Sequence, residues 1–568
     1  MVKLSQAALS CVQGAPLSEE QGIGELTLGR YLRQVTGRFG PNEVGNMRSA
    51  DGGVIRWTYS DLWERSLEVA QSLRACGVAK GTCVGVLMTN RLELLSSVFG
   101  AAMAGAVPAL LSTFSTTAEL EQLVRASACS VLLIERRVLK KDFTQMLLET
   151  EPQIGSAEPG CLSSLSYPFL RHLVAVDDDA RTGAIEGWSA FLARGKPIDA
   201  ALVEAALNTV APSDPGILFF SSGSTGKPKG ILSSNRSVCL QLWRWRIWLG
   251  VADDVRCWSA NGFFWSGNFA MALGATLSSG GALVLQSSFQ AEHALSLMAQ
   301  ERVTLLRAWP HQWAQLEAAA NWTDVDLSSL RYVDCQSPVG RHPTVSTNWH
   351  DPVQAFGNTE TLTLITVCGV GTTEEKVGSG HGVPTAGSTI KIVDPMTNRT
   401  VPRGERGEIA VKGPTLMLGY IGVPLADTLD DEGYLRTGDG GFIDEIGHLH
   451  WEGRLNDIIK TGGANVSPIE IDDLIRRYPG VKVAQTVGVP DELLGEIVVT
   501  CIVPHNGASL DEEDIRAFGR SQLASYKVPR RVIFLSPDEV TLTGSAKIKA
   551  SDLKALATAR LASQPERQ

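Results

Sequence analysis

Residues 218–230 read Leu-Phe-Phe-Ser-Ser-Gly-Ser-Thr-Gly-Lys-Pro-Lys-Gly. An apolar strand end runs into ten residues that are small, hydroxylated or cationic apart from one proline. That composition suits a polyphosphate. Gly223 and Gly226 let the backbone approach an anion closely. Backbone N–H groups and the hydroxyls of Ser221, Ser222, Ser224 and Thr225 can donate to phosphate oxygens. Lys227 and Lys229 add positive charge. A solvated surface loop has a similar composition, but a strand feeding directly into such a loop is an active-site arrangement.

A Walker A motif needs Gly, four residues, then Gly-Lys-Ser/Thr. Counting back from Gly226, its first glycine falls at Ser221, and Pro228 replaces the hydroxyl after Lys227. The loop is therefore not that of an ordinary P-loop NTPase. It resembles the phosphate loop of the acyl-adenylate-forming superfamily, which comprises acyl- and aryl-CoA synthetases, peptide-synthetase adenylation domains and luciferases.

Companion motifs follow in that superfamily's order. Residues 355–361 read Ala-Phe-Gly-Asn-Thr-Glu-Thr, similar to its aromatic-Gly-x-Thr-Glu motif. Phe356 suits a nucleobase face, Gly357 and Asn358 belong to the same turn, Thr359 can bond a phosphate, and Glu360 is a hard oxygen ligand for Mg²⁺. An isolated Glu is usually a solvated charge; the setting is what singles this one out. Residues 434–439 read Tyr-Leu-Arg-Thr-Gly-Asp. In the superfamily this aspartate, here Asp439, binds both ribose hydroxyls, a task suited to a carboxylate. Residues 453–472 resemble the junction between the large and small domains nearly throughout. There Arg454 is implied to contact ribose or phosphate, Asn456 falls on the hinge, and Gly462 and Gly463 pass near the thiol tunnel. Asn tolerates unusual backbone angles. Residues 542–549, Leu-Thr-Gly-Ser-Ala-Lys-Ile-Lys, place the superfamily's catalytic lysine at Lys547, with Lys549 as the neighbour to distinguish from it. The resemblance implies Lys547, Thr225 and Glu360 as catalytic residues, and Glu360 with Thr225 as metal ligands. Residues 407–420 also match, in a structural role.

The implied substrate is a carboxylic acid. Peptide-synthetase domains place an Asp after Phe to pair an α-ammonium, whereas this chain reads Phe263-Phe264-Trp265-Ser266. An apolar Phe264 disfavours an amino acid. Many CoA synthetases have His there, and often two glycines where Cys335-Gln336 stands. Phe264, Trp265 and Gln336 are the acid-binding candidates, and Gln336 in place of Gly points to a compact aryl or functionalised acid. Trp243, Trp245, Trp248 and Trp258 read mainly as core.

The elements that must position these residues alternate at short spacing. Strands near 82–88, 107–111 and 130–134 and helices near 90–105 and 120–127 argue for a parallel sheet with flanking helices. Residues 149–215 read as a less regular connector. A second alternating block spans 217–367. Short strands split by Gly and Pro suggest a β-rich subdomain over 390–450, and a compact α+β pattern follows 458. The expected fold is α/β, with a large N-terminal domain of two α/β subdomains plus a β-rich subdomain over residues 1–455. Residues 456–568 form a small mobile α+β domain carrying the lysine.

The chain has 568 residues, 44% hydrophobic and 20% charged, with a net charge of −10. It is long enough for more than one core, and its charge disfavours nucleic acid. Ten scattered cysteines contain no Cys-x-x-Cys, which argues against zinc sites and fits a cytoplasmic enzyme. The first residues lack a signal peptide's basic start and apolar block, and the apolar window 96–114 is broken by Gly100, Gly105 and Pro108, so no integral membrane segment is expected. His448 and His450 lack a third ligand in sequence.

These readings imply an ATP-dependent acid–CoA ligase using Mg²⁺ and forming an acyl-AMP intermediate, with AMP and pyrophosphate released. A second reading is an adenylating enzyme that loads an acyl carrier protein's phosphopantetheine. A third is a non-catalytic nucleotide-binding relative, against which the intact Glu360, Asp439, Arg454 and Lys547 set argues. A luciferase-like oxygenase shares the same motifs.

Overall fold

The computed structural model describes residues 8–49, 52–221, 228–351, 354–368, 380–455, 457–461, 464–491, 494–505, 507–523, 525–536, 539 and 550–563. An eight-stranded sheet forms the first layer. Six of its strands are parallel, in the order Ile185–Gly187, His172–Ala175, Val131–Ile134, Cys83–Leu87, Val107–Leu110 and Pro215–Ser221. Val107–Leu110 and Val131–Ile134 are buried at every position, as strands covered by helices on both faces must be. Local chemistry starts the helices. Thr58 closes the strand Val54–Thr58 and caps Tyr59–Ala75: its hydroxyl accepts from the Asp61 N–H at 3.1 Å, and the Asp61 carboxylate accepts from the Thr58 N–H at 2.7 Å. This reciprocal box satisfies two donors that a bare helix end leaves open.

The apolar window resolves into the buried helix Leu92–Met103 and the strand Val107–Leu110. At Gly100 a Cβ would lie 2.7 Å from the Val69 side chain, so its glycine reflects helix packing. Among the described residues, no helix is long and apolar enough to cross a membrane.

Two expectations change. Residues 149–215 contain the strands His172–Ala175 and Ile185–Gly187 and the helices Trp188–Gly195 and Ala200–Asn208. They finish one edge of the large sheet, and their strands are too short to show a period beside the surrounding Asp, Gly and Pro. The second alternating block is also divided. Pro215–Ser221 and Lys229–Ser234 join the first sheet. The second α/β sheet instead recruits Glu43–Arg48 and Val54–Thr58 from near the N-terminus, beside Ala282–Leu285, Arg256–Ser259 and Leu305–Arg307.

The β-rich subdomain is a five-stranded antiparallel sheet in the order Cys11–Gln13, Thr389–Val393, Gly407–Lys412, Leu435–Ile443 and Leu449–Arg454. The small α+β part packs the helices Pro468–Ile475, Glu512–Gln522 and Ala550–Ser563 against a sheet dominated by the long pair Val481–Asp491 and Gly495–Pro504. It has its own apolar clusters.

Helix Asn235–Leu249 packs against the strands Pro215–Ser221 and Lys229–Ser234 and the helix Leu28–Phe39. Its Arg244 side chain is 0% exposed, donates to both Glu20 oxygens at 2.9 and 2.8 Å, and donates to the Ala386 carbonyl at 2.8 Å. All thirteen tryptophans lie at or before Trp451, ahead of the small part's first helix, Pro468–Ile475, so indole fluorescence reports mainly the large part. Glu20→Ala should destabilise that part by about 3–5 kcal/mol, the cost of stranding a buried charge. Joint replacement of Glu20 by Leu and Arg244 by Met should cost much less. Urea unfolding followed by tryptophan fluorescence checks both.

Candidate active site

The strands Pro215–Ser221 and Lys229–Ser234 form an antiparallel pair in which Ser221 opposes Lys229. Ser221 and Lys229 therefore sit side by side in the sheet. Ser222, Gly223, Ser224, Thr225, Gly226 and Lys227 lie outside the described residues; Ser221 and Lys229 mark the loop's two feet.

The next strand outward is Gly419–Tyr420, with Ile231 opposite Tyr420. The Lys229 ammonium lies 5.2 Å from the centre of the Tyr420 ring, within reach of a cation–π attraction. The Tyr420 hydroxyl donates to Glu360 Oε1 at 2.7 Å, and the Glu360 carbonyl accepts from the Met417 N–H at 2.7 Å. Loop foot, phenol and carboxylate thus form one connected run. Burial raises the Tyr420 hydroxyl's pKa, and the Glu360 charge raises it further, so the phenol stays a donor.

Glu360 projects from a tight turn, Thr359–Thr361, after the strand Phe356–Asn358. The Asn358 side chain accepts from the Thr361 N–H at 3.0 Å. Leu362 takes a left-handed φ of 57°. A Cβ at Gly357 would fall 1.7 Å from the Thr363 carbonyl oxygen, so only glycine fits there. Phe356 is buried in the β-rich core, so most of the ring expected to face a base is already covered.

Asp439 lies on the strand Leu435–Ile443, opposite Arg454 on Leu449–Arg454. Arg454 Nε is 3.2 Å from Asp439 Oδ1, and Arg454 Nη1 donates to the Thr437 carbonyl at 2.7 Å. The Trp451 indole N–H donates to Asp439 Oδ1 at 3.3 Å. The same indole ring lies 6.4 Å from the Phe356 ring. Burial pushes the Asp439 carboxyl above its ordinary range, Arg454, the Trp451 indole N–H and the Thr437 hydroxyl pull it back, and the Glu360 charge adds to the rise. Asp439, Arg454 and Glu360 therefore belong to one electrostatically coupled group, and Phe356 adjoins it through the Trp451 ring.

The AMP-binding enzyme family model matches residues 42–421, and the AMP-binding enzyme C-terminal domain model matches residues 470–547. The chain belongs to the AMP-binding enzyme family. It is an enzyme of the acid–thiol ligase class. It is 32% identical over 509 residues to a feruloyl-CoA synthase from Amycolatopsis sp, covering 88% of this chain and 94% of that protein. It is 30% identical over 510 residues to an indoleacetate–CoA ligase from Aromatoleum aromaticum, covering 88% and 93%. Its fold is similar to the anthranilate CoA ligase AuaEII in complex with anthranoyl-AMP. The TM-score is 0.75 at 22% identity, covering 96% of this chain and 99% of that one. ATP-bound MatB from Rhodopseudomonas palustris gives 0.74 at 23% identity, covering 93% and 99%.

Other expected residues of this AMP-binding enzyme are distributed as follows. Lys547, Lys549, Asn456, Gly462 and Gly463 lie outside the described residues. Beside Asn456, the Leu455 N–H donates to the Gly438 carbonyl and the Asp457 N–H to the Arg454 carbonyl, both at 2.9 Å. The chain entering the small part is thus tied to the Asp439 strand. Phe264 is buried, edge-on to Phe114 at 5.4 Å, and packed on Trp265 at 5.3 Å. Their loop is held by Asn90: its side chain accepts from the Phe263 N–H at 2.9 Å and donates to the Asn261 carbonyl at 2.7 Å. Gln336 is exposed on another turn, where its side-chain oxygen accepts from Arg341 at 3.2 Å. The described contacts place it with Arg341 and Asp334 and do not join it to Phe264 or Trp265. Trp243, Trp245, Trp248 and Trp258 are core residues. His450 is committed elsewhere, paired with Asp444 at 2.9 Å and stacked on Phe442 at 4.5 Å.

Sequence reasoning missed Tyr420, Trp451, His381 and Gln241. His381 Nδ1 accepts from the Trp451 backbone N–H at 3.1 Å, and burial pushes its pKa down to about 4, keeping the ring a neutral acceptor. Gln241, fully buried on the helix after the phosphate-loop hairpin, donates to the Thr361 carbonyl at 3.2 Å and the Leu364 carbonyl at 2.9 Å. Trp245, one helical turn on, donates to Thr363 Oγ1 at 3.3 Å. A polar residue inside an apolar helix face was the available signal. Gln241→Leu strands two buried carbonyls beside Glu360. It should cost about 1–3 kcal/mol and speed hydrogen exchange over residues 356–364, which mass spectrometry of quenched peptides measures.

Proposed function

We propose that the Lys229–Tyr420–Glu360 run and the Asp439–Arg454–Trp451 group are the phosphate and ribose sides of one ATP site, serving acid–CoA ligation. One observation carries the reading: loop foot, acidic turn and ribose-type aspartate, far apart in sequence, belong to one set of linked contacts. The chain converts a carboxylic acid to its CoA thioester through an acyl-AMP intermediate. In the first step a carboxylate oxygen attacks the α-phosphorus and pyrophosphate leaves. In the second the CoA thiol attacks the acyl carbon, AMP leaves, and the thiol proton passes to solvent.

Two anions must meet in the first step, so stabilisation is electrostatic. Loop donors at Ser221, Ser222, Ser224 and Thr225, with the backbone at Gly223 and Gly226 and the charge of Lys227, would receive the phosphates. Thr359 would add a further donor. Asp439 would accept from both ribose hydroxyls while Arg454 holds it ionised. Glu360, half-buried and fixed at one oxygen by Tyr420, is a pre-set hard-oxygen ligand that fits Mg²⁺ together with Thr225. When bound, Mg²⁺ would neutralise phosphate charge. Lys547 would bind the reacting carboxylate and α-phosphate oxygens. A large part over 1–455 and a small part over 456–568, turning at Asn456, would exchange Lys547 for the Gly462–Gly463 loop between the two steps.

An aryl or other ring-bearing acid fits best. The Phe114–Phe264–Trp265 aromatic group supports it, as do the names of the feruloyl and indoleacetate relatives. Those names also favour CoA over a carrier protein as acceptor. The ten free thiols fit the reducing cytoplasm.

ATP–pyrophosphate exchange over a panel of aryl, alicyclic and straight-chain acids should respond best to an aryl acid, and thioester should then form with free CoA. Lys547→Ala should slow exchange by roughly 10²-fold or more. No exchange with any acid overturns the reading, and transfer only to carrier-bound pantetheine reassigns the acceptor. A pH series tests the ribose side. Only the ionised Asp439 accepts from both hydroxyls, so adenosine affinity should fall as pH drops through the raised carboxyl pKa. Trp451→Phe removes a donor that favours ionisation, so this fall should move to higher pH. Calorimetric titration of adenosine at stepped pH measures the shift.

A further inference from the structure

Away from the nucleotide group, Asp334, Cys335 and His350 each present one metal-ligating atom, and these atoms all lie within 4.8 Å of one another. Cys335 Sγ is 3.6 Å from His350 Nδ1, and His350 Nδ1 is 3.9 Å from Asp334 Oδ2. A tetrahedral ion with zinc-type bonds needs ligand separations of about 3.3–3.6 Å; the Cys335–His350 side already has that length, and the sides to Asp334, within 4.8 Å, would shorten on binding. We propose that Asp334, Cys335 and His350 form a binding site for a borderline-soft divalent cation of the zinc class, completed by water.

The backbone has already done the expensive positioning. The Cys335 N–H donates to the Trp349 carbonyl at 3.0 Å, and the Asp351 N–H donates to Asp334 Oδ2 at 2.9 Å. Residues 334–335 and 349–351 are thereby held side by side. Asp334 Oδ1 accepts from the Gln336 N–H at 2.8 Å, so both carboxylate oxygens are oriented by amide donors, as outer-shell partners orient metal ligands. Asp351 is in turn anchored by an ion pair with Arg307 at 2.6 Å. The His350 side chain is 52% exposed, which leaves an entry path and an open fourth position. One sulfur, one nitrogen and one oxygen suit zinc far better than Mg²⁺ or Ca²⁺.

Binding would expel the thiol proton to solvent, so affinity falls with falling pH. A bound ion would clamp the Asp334–Gln336 turn, which carries the acid-pocket candidate Gln336, against the segment leading to Phe356. The site stands independently of the ATP reading, because its tests need no turnover.

Cobalt is the probe. Titrating the full-length protein with Co²⁺ should give a sulfur-to-cobalt charge-transfer band that Zn²⁺ displaces. Cys335→Ser should abolish the band. His350→Ala should weaken Co²⁺ binding by more than the roughly tenfold cost of losing an outer-shell partner. A second measurement avoids dependence on variant folding. In the unmodified protein, Zn²⁺ should protect Cys335 from iodoacetamide while the exposed Cys11 and Cys161 still react, as peptide mass spectrometry reads. Absence of the band, its survival in Cys335→Ser, or alkylation of Cys335 at an unchanged rate with Zn²⁺ overturns the proposal.

Discussion

Everything at the site hangs on one sheet edge. A parallel sheet ends at Pro215–Ser221, and the chain returns antiparallel as Lys229–Ser234 beside Gly419–Tyr420. Backbone pairing of Ile231 with Tyr420 ties two segments almost two hundred residues apart. It brings the Tyr420 phenol between a lysine and a carboxylate. Without that pairing, Lys229 and Glu360 belong to separate layers and no connected run exists. The sheet supplies rigidity here, because a site residue on a ladder cannot drift without breaking hydrogen bonds to two neighbours.

Buried polar side chains supply the second constraint. Helix Asn235–Leu249 carries Gln241, Arg244 and Trp245 on surfaces that an apolar core would normally fill. Gln241 and Trp245 bind the turn that presents Glu360, and Arg244 ties the helix to Glu20 and Ala386. A buried amide or guanidinium is tolerable only when its partners are in place. These contacts therefore select one position for the acidic turn relative to the phosphate-loop hairpin. The His381–Trp451–Asp439 chain does the same on the other side, where a neutral imidazole accepts from the Trp451 backbone N–H and the Trp451 indole N–H donates to the carboxylate.

The family and the fold class were legible beforehand. The phosphate loop, the Phe356–Glu360 motif, Asp439 and the junction around Asn456 are contiguous strings whose residue types state their chemistry. The long strands of the small part showed through because Val, Ile and Thr alternate over many positions. The strands His172–Ala175 and Ile185–Gly187 did not, because three or four buried residues carry no measurable period. Tyr420 and Trp451 were invisible as functional residues for a different reason: an aromatic side chain is ordinary core material until a carboxylate is found beside it. Gln336, read as narrowing or polarising the acyl tunnel, has a side-chain oxygen that accepts from Arg341, a contact the sequence did not announce.

The sequence by itself determined the reaction class and the local geometry: which loops carry donors, which turn needs glycine, which residues start helices. These depend on neighbours a few positions apart, whose interactions survive in almost any context. Tertiary structure alone decided the company each residue keeps. It moved Glu43–Arg48 into the second sheet, put Tyr420 against Glu360, and set Cys335 beside His350. Such pairings minimise buried, unpaired polar groups and exposed strand edges over the whole chain, and that balance is written in no single segment.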